Sequence, residues 1–595
     1  MNNVKISAHS INTATGDIEG NFAKIKECVK EDHAKGTDLS IFPETAFSGY
    51  MCGSLWDRKD FSETQSLCPK ALQSFMIDIG YKGTVIVGFV DFLGMKKNGF
   101  PRLKNAAAIV SEESIQVYHK QLLAGTDHHE DLKYFESGEE SRAFTLNLPS
   151  GKCRVGVLIC EDAWYTDHER NIPQELVENC GAEFLVCINQ SYFYYDKEFK
   201  RFSIFKSIAQ FTHVPVITVN ALGVGDILKN IVIFDGGTMV FNAKGEMINY
   251  NQRFKETTTR FVLGGDNDNT DYHGGISFEP PKKFDEIMDA LIFEQREFFK
   301  LCRIEKAQVH VSGGLDSAIT AAVVSQAMGN ENTVLITNPS RLNEKSDSWD
   351  FVMELGESLG IPIWENPIQS TFDEFMRTHT MSFDWAELSK TGQASVHAVL
   401  RTVQGLAASH QLGTGIVATG NHTEIVLGWA SFHDIGSIGV HAILGDMTKM
   451  ELFQFAQYLN EDFFQQEIIP KALYDGSFKP AAELPDAMED PINYDVQSGV
   501  CAMLIRNRTS KGELLALFSE AKSSIAPDQF LTRDLFPNLE NVLLLSESEF
   551  ESEVDFAISK MKTSVYKAAQ AAPIVIISPR SRGFSNRETL INKYV

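Results

Sequence analysis

One short run limits the possible folds more than any other. From Ala307 the chain passes through "AQVHV" to Val311, then through Ser312-Gly313-Gly314-Leu315-Asp316-Ser317, and directly into the helix-forming stretch "SAITAAVVSQAMG". An apolar strand that turns within a few small residues into a helix is half of a β–α–β crossover. It commits this part of the chain to a parallel sheet. The alternation continues through "TVLITN", a helical stretch near 346–359 and "GIVATG". Ligands of such sheets gather beyond the C-terminal strand ends, which is where Ser312–Ser317 stands. Bare glycine backbone admits an anion closely, and a helix start adds unpaired N–H groups and partial positive charge. The Ser312 and Ser317 hydroxyls add donors. Asp316 would repel a naked phosphate, so beside one it calls for a divalent cation such as Mg2+. The run by itself also fits a capped glycine-rich turn.

The first 260 or so residues read differently. Short strand candidates, "VKISAHS", "LSIFPE", "TVIVGFVDF", "NAAAIV", "RVGVLIC", "EFLVCIN", "VPVITVN" and "GTMVFN", alternate with helices such as "NFAKIKECVKEDHAKG". Several are apolar throughout, as strands covered on both faces should be. Between the two regions, Gly264 to Lys283 concentrates Gly, Asn, Asp and Pro without periodicity, the signature of a linker. The expected organisation is a first domain over 1–263, a linker over 264–283 and a second domain over 284–595. A chain of 595 residues is long enough for two. Its net charge of −25 speaks against nucleic acid or an anionic membrane as partner. Nine cysteines without a C-x-x-C pair argue against a disulfide framework or structural zinc and for a reducing compartment. "MNNVKISAHS" lacks a signal-peptide layout and no apolar run reaches about 18 residues, so a cytoplasmic protein is expected.

Three strand ends in the first region carry reactive groups: Glu44 in "LSIFPE", Lys120 in "IQVYHK" and Cys160 in "LICEDAW". Converging, they would let a carboxylate take a thiol proton, the thiolate attack a carbonyl and the ammonium steady the oxyanion. Spacing alone does not bring them together.

FPE, YHK and CED in that order resemble the carbon–nitrogen hydrolase (nitrilase) superfamily, with "TGDIEGN" (15–21) and "IFDGGTMVFNAKGE" (233–246) extending the likeness. The resemblance implies an αββα sandwich with Glu44 as general base, Lys120 at the oxyanion and Cys160 as nucleophile. The SGGLDS run resembles the SGGxDS loop of ATP pyrophosphatases, which implies a Rossmann-like parallel sheet. Both together resemble the glutamine-dependent NAD+ synthetase family, in which one half frees ammonia from glutamine and the other adenylates deamido-NAD+ with ATP. That resemblance extends to "TNPSRLNEKS", "ATGNHTEIVLGWASFHDIG", "LGDMTKMELFQFAQYL", "FKPAAELPDAMEDP" and "SVYKAAQAAPIVIISPRSRGF". It implies glutamine contacts at Thr126, Ser191 and Lys197, and ATP contacts at His310, Val311, Ser312, Gly313, Gly314, Leu315, Asp316, Ser317, Thr419 and Lys449. It implies deamido-NAD+ contacts at Ser395, Glu424, Trp429, Ala430, Ser431, Phe432 and Lys567, Mg2+ ligands at Asp316 and Glu424, and a homo-oligomer. It also implies an internal passage that would keep ammonia unprotonated.

The sequence departs from the family pattern in four places, the first spanning two residues. Ala124 and Thr126 replace a proline and a glutamine-contacting tyrosine. Asp131, with Glu130 beside it, stands where a second pocket glutamate is usual. Ser395 replaces an asparagine, although Val396, Val399, Leu400, Val403, Leu406 and Ala407 promise its helix a buried apolar face. His310 replaces a glycine. Three alternatives remain: another ATP-pyrophosphatase amidotransferase, an amidase with a structural second half, and a synthetase fed by free ammonia.

Overall fold

The computed structural model describes residues 3–125, 129–226, 229–264, 276–341, 347–382, 389–429, 433–477 and 492–581. The chain forms two compact units. One is Met1–Ile227 with Val232–Lys283, the other Leu228–Ile231 with Phe284–Val595.

Strands of the first unit are β1 (Val4–Ser10), β2 (Leu39–Ile41), β3 (Thr84–Met95), β4 (Pro101–Val110), β5 (Ile115–His119), β6 (Ala143–Leu148), β7 (Gly151–Ile159), β8 (Phe184–Asn189), β9 (Val216–Asn220), β10 (Leu222–Asp226), β11 (Asn230–Asp235), β12 (Thr238–Phe241), β13 (Met247–Tyr250) and β14 (Thr257–Leu263). One six-stranded sheet has the order β14-β1-β2-β3-β4-β5, the other β13-β12-β9-β8-β7-β6. β2 runs parallel to β1 and β3, and β8 parallel to β7 and β9. The sheets face each other through Ile6, Ala8, Ile41, Ala107, Val157, Ile159 and Ile188. Helix residues Ile25, Val29, Leu72 and Met76 cover the outer face of the first sheet, and Phe205, Ile208 and Ala209 that of the second. Every residue of β8 is buried, which is why its sequence shows no alternation of polar and apolar. The layers are α, β, β, α.

The second unit contains β15 (Lys306–His310), β16 (Thr333–Thr337), β17 (Ile363–Glu365), β18 (Thr414–Ala418), β19 (His441–Ala442) and β20 (Ile574–Val575). They stand in the order β20-β19-β18-β15-β16-β17, all parallel. The first two residues of β11, Asn230 and Ile231, are counted with this unit rather than the first, and lie in parallel register with Ile574 and Val575. A helical layer built on Val500, Phe518, Phe550 and Val554 packs as its own core, with Phe518 and Phe550 stacked 4.0 Å apart.

The helix Lys390–Leu412 corrects one expectation. Val399, Val403 and Leu406 are exposed by 39, 56 and 45%, while Ala398, Thr402 and Gly405 are buried. The buried face is set by close approach rather than by hydrophobicity. A Cβ on Gly405 would lie 2.7 Å from Ile435 Cδ1 and 2.8 Å from His310 Nε2. Small residues are therefore required where the helix touches the sheet, and the larger aliphatics face elsewhere.

Candidate active sites

In the first unit the ends of β2, β5 and β7 deliver Glu44, Lys120 and Cys160 to one buried place. Lys120 Nζ lies 2.9 Å from Glu44 Oε1 and 2.7 Å from Asp131 Oδ2, all three side chains being at most 1% exposed. Asn105 Nδ2 donates to Glu44 Oε1 at 2.7 Å and the Gln190 backbone N–H donates to Oε2 at 2.7 Å. Gly88 on β3 makes room for this turn, since a Cβ there would lie 2.5 Å from Glu44 Cα. Burial alone would pull the Lys120 amine down, but the carboxylates of Asp131 and Glu44 prevail and hold it well above its ordinary value. Conversely burial pushes Asp131 up, and the Lys120 ammonium prevails and holds it below the usual carboxylate range.

Cys160 opens a short turn at the end of β7 with φ +46°, a backbone conformation costly for a residue with a Cβ. Burial pushes its thiol well up, the Glu44 charge adds to this, and the Lys120 ammonium opposes it. At rest the group is a thiol, so attack requires a base at hand. Asp162, two residues on, is the tie that aligns the turn with Lys120. Its carboxylate accepts from Ile159 N at 3.0 Å, Gln121 N at 3.0 Å, Leu122 N at 2.9 Å and the Tyr118 hydroxyl at 2.9 Å. Replacing it by alanine orphans three buried N–H groups. We expect Asp162→Ala to cost about 3 kcal/mol locally, read as a hundredfold or so loss of hydrogen-exchange protection at the Gln121 and Leu122 amides. Unchanged protection would mean another group makes the tie.

Sequence reasoning left open which of Glu130 and Asp131 serves the pocket. Asp131 does: it meets Lys120, and it also accepts from Ala124 N at 3.1 Å and the Tyr50 hydroxyl at 2.9 Å. Glu130 turns the other way, accepting from Gly53 N and Trp56 Nε1, each at 3.1 Å. Burial pushes the Glu130 carboxyl up to about 7. A carboxyl raised in the fold weakens stability once the unfolded chain can ionise it. The penalty is absent below the unfolded value near 4.5 and complete above 7. Glu130→Gln should therefore match the parent in unfolding free energy near pH 4.5 and exceed it by up to about 3 kcal/mol at pH 8, read from denaturant melts at the two pH values. Equal curves at both pH values would remove this reading.

Lys197 stands in an aromatic enclosure, its Nζ 4.5 Å from the Trp164 ring centroid, 4.9 Å from that of Tyr194 and 5.6 Å from that of Tyr192. Burial pulls its amine down, as expected of an ammonium facing rings more than water. Ser191 lines a pocket with Trp164, Asn189, Arg201 and Asn220. Its backbone is fixed by Asn220 Oδ1, which accepts from Ser191 N at 2.9 Å, and by Arg201 Nη2, which donates to Ser191 O at 2.9 Å. Thr126 lies outside the described residues.

In the second unit, Ser312–Ser317 joins β15 to the helix Leu315–Met328. Gly313 has φ +80°, and a Cβ there would stand 2.0 Å from Ser348 O, so only glycine fits. Ser312 is exposed. Ser317 Oγ donates to Gly314 O at 3.0 Å and accepts from Ser312 N at 3.2 Å, which holds the turn open at the helix start. Val311 and Leu315 are buried beneath it. His310 is packed and has both ring nitrogens engaged. Asn338 Nδ2 donates to Asn366 O and Gln404 Oε1, so Asn338 Oδ1 must accept from His310 Nδ1, at 2.7 Å. Gln308 Oε1 accepts from Thr414, leaving Gln308 Nε2 to donate to His310 Nε2, also at 2.7 Å. Burial pulls this imidazole down to about 4. Its side chain braces β15 against β16; what it can offer a ligand is backbone.

Asp316, Glu424 and Lys449, which lie more than 100 residues apart at the extremes, converge. Lys449 Nζ lies 2.5 Å from Asp316 Oδ1 and 3.8 Å from Glu424 Oε1. Asn421 Nδ2 donates to Asp316 Oδ2 at 2.6 Å while Asn421 Oδ1 caps the helix His422–Leu427 at Glu424 N. Two carboxylates already aimed at one cation suit Mg2+, which takes one or two protein carboxylates and completes its shell with phosphate and water. Asp446, three residues before Lys449, serves elsewhere: its Oδ2 accepts from Ile577 N at 2.9 Å and Ser578 N at 2.7 Å. Thr419 N donates to Gly436 O at 3.0 Å beyond β18. Trp429 follows the same helix, its N–H donating to Glu424 O, with Lys560 Nζ 5.6 Å from its ring centroid. Lys567 Nζ donates to Gly428 O at 3.1 Å. Ser395 is half-buried on Lys390–Leu412. Ala430, Ser431 and Phe432 lie outside the described residues, as do 342–346 and 478–491.

Sequence reasoning missed Asn105, Gln190, Asp162, Asn421 and Gly88. The order of polar residues after an apolar strand marks Asp162 and Asn421 as turn formers; nothing in the sequence marks the other three.

Residues 5–262 match the carbon–nitrogen hydrolase family and residues 292–523 the NAD synthase family. A glutamine-dependent NAD+ synthetase of Thermotoga maritima is 27% identical over all of this chain and 99% of its own length. One of Synechocystis sp. is 27% identical over 86% of this chain and 90% of its own. Among solved structures, glutamine-dependent NAD+ synthetase from Acinetobacter baumannii in complex with ADP superposes with a TM-score of 0.70 at 22% identity, covering 99% and 98% of the two chains. That from Cytophaga hutchinsonii gives 0.74 at 15% identity, covering 97% and 96%. At these identities the superpositions establish the fold.

Proposed function

The chain belongs to two families at once, carbon–nitrogen hydrolase and NAD synthase, and from that premise we infer that it is a glutamine-dependent NAD+ synthetase, a ligase that takes its nitrogen from glutamine. The observation that carries the assignment is the presence, in one chain matched end to end by such enzymes, of a Glu–Lys–Cys site and an SGGLDS loop.

In the first unit, Cys160 Sγ attacks the glutamine carboxamide carbon as Glu44 takes the thiol proton. The Lys120 ammonium, held by Asp131 and Glu44, faces the oxyanion. Glu44 returns the proton to the departing ammonia, and water then cleaves the thioester with Glu44 again as base, giving glutamate. Lys197 in its aromatic enclosure suits the substrate α-carboxylate, and Ser191 adjoins it through Trp164.

In the second unit, the deamido-NAD+ carboxylate attacks the α-phosphorus of ATP and pyrophosphate leaves. Ammonia then attacks the acyl carbon of the adenylate and AMP departs, leaving NAD+. The Ser312–Ser317 turn and the start of Leu315–Met328 cradle the polyphosphate, with Lys449 as a further cation. Asp316 and Glu424 would hold Mg2+, which when bound neutralises charge on the phosphates. Thr419 at the end of β18 borders the nucleotide. Trp429 and Lys567 border the dinucleotide, with Ser395 on the adjoining helix. Among the described residues no helix is long and apolar enough to cross a membrane. From the family resemblance we infer a homo-oligomer, and from nine cysteines without a C-x-x-C pair a reducing, cytoplasmic setting. The test combines protein, ATP, Mg2+, deamido-NAD+ and either glutamine or ammonium, and follows NAD+, AMP and pyrophosphate. Glutamine hydrolysis without pyrophosphate would identify an amidase with a structural second half. NAD+ from ammonium alone would identify a silent first site.

A further inference from the structure

We propose that the Lys449 ammonium is a resident stand-in for the divalent cation, holding Asp316 and Glu424 in readiness and barring metal until nucleotide arrives. The proposal rests on the reading that these two carboxylates are the metal ligands. The ammonium lies against Asp316 Oδ1 at 2.5 Å and Glu424 Oε1 at 3.8 Å, and the other oxygen of Asp316 accepts from Asn421 at 2.6 Å. Both oxygens of Asp316 are thus occupied by donors of this chain. Metal alone would have to expel a cation already in contact with the carboxylates it needs.

The root of Lys449 is fixed while its stem is long. Lys449 N donates to Thr423 Oγ1 at 3.1 Å. Thr448 caps the helix Lys449–Tyr458 in a reciprocal pair with Glu451, and Arg506 grips Glu451 at 2.8 Å. Four methylenes remain to carry the ammonium, which passes 5.6 Å from the Tyr494 ring centroid. A triphosphate on the Ser312–Ser317 turn offers more negative charge than two carboxylates. The ammonium would move to it, freeing Asp316 Oδ1 and Glu424 Oε1, the oxygens that would hold the metal. Metal and nucleotide then bind with positive coupling, each raising affinity for the other by the same factor.

The test uses Mn2+ as probe, followed through the free-ion electron paramagnetic resonance signal, with the full-length protein and a non-hydrolysable ATP analogue, Mn2+ held by the analogue in protein-free solution being subtracted. In the parent, Mn2+ should bind weakly alone and at least about tenfold tighter with the analogue present. Lys449→Met, close in length and uncharged, should bind Mn2+ without nucleotide at least about tenfold tighter than the parent does. Lys449→Met with Asp316→Asn should lose that gain. Equal Mn2+ affinity in the parent with and without analogue overturns the proposal. So does a Lys449→Met affinity equal to the parent's, provided analogue-dependent binding in the parent still requires Asp316; the ligand reading then survives. Analogue-dependent Mn2+ binding that ignores Asp316→Asn overturns the ligand reading, and the proposal with it. If Lys449→Met does not fold, the parent comparison alone decides.

Discussion

Cys160→Ala should abolish NAD+ formation from glutamine while leaving formation from ammonium nearly intact. The loss should exceed about four orders of magnitude, because without the thiol no covalent intermediate forms and the remaining groups can only assist water. The structure makes the case stronger than a motif could. Burial and the Glu44 charge push the Cys160 thiol well up, so on the proposed reading its attack needs a base, and that base is Glu44. Lys120, pinned as an ammonium between two carboxylates, cannot act as the base. Paired assays on the same preparation, one with glutamine and one with ammonium, separate this outcome from misfolding. Glutamine-driven turnover that survives would move the nucleophile elsewhere.

Asp316→Ala should do the reverse. Pyrophosphate and AMP release should fall about a thousandfold with either nitrogen source, the several kcal/mol that a metal held by Asp316 would supply by neutralising phosphate charge, while glutamate release from glutamine continues. On the proposed reading Asp316 would contribute twice, as a ligand of Mg2+ and as the carboxylate that contacts Lys449 at 2.5 Å. The substitution thus removes one anion and sets one cation loose. The measurement is pyrophosphate release against glutamate release. Pyrophosphate at the parental rate would show that the turn serves no polyphosphate.

How far the sequence foretold these sites depends on the distance over which each is built. β15, the Ser312–Ser317 turn and the helix after it are contiguous, and hydrophobicity with glycine placement was enough to read them. Glu44, Lys120 and Cys160 are legible as types at strand ends, and their order carried the family resemblance. Their mutual distances are not legible, because Asp162 joins residues 40 or more positions apart and Asn105 reaches Glu44 across 61. The choice between Glu130 and Asp131 is a matter of which neighbouring side chain points inward, which no periodicity encodes in a four-residue helix. The helix Lys390–Leu412 misled for the opposite reason. Its apolar stripe is real, but contact with the sheet at Gly405 selects for smallness, and the pattern of aliphatics named the wrong face.

Strand β20 has a consequence for how the second unit comes into being. The carboxylate of Asp446 receives the N–H of Ile577 from 131 positions further along the chain. While the ribosome is still making those positions, the two residues of β19 lack their β20 neighbour and Asp446 lacks the N–H groups of Ile577 and Ser578. A two-residue edge offers little for stray strands to pair with, but contacts so distant in sequence form slowly, and the sheet is completed only when residue 577 has been made. Pulse-labelled chains arrested between residues 446 and 577 should be the ones that chaperones hold longest.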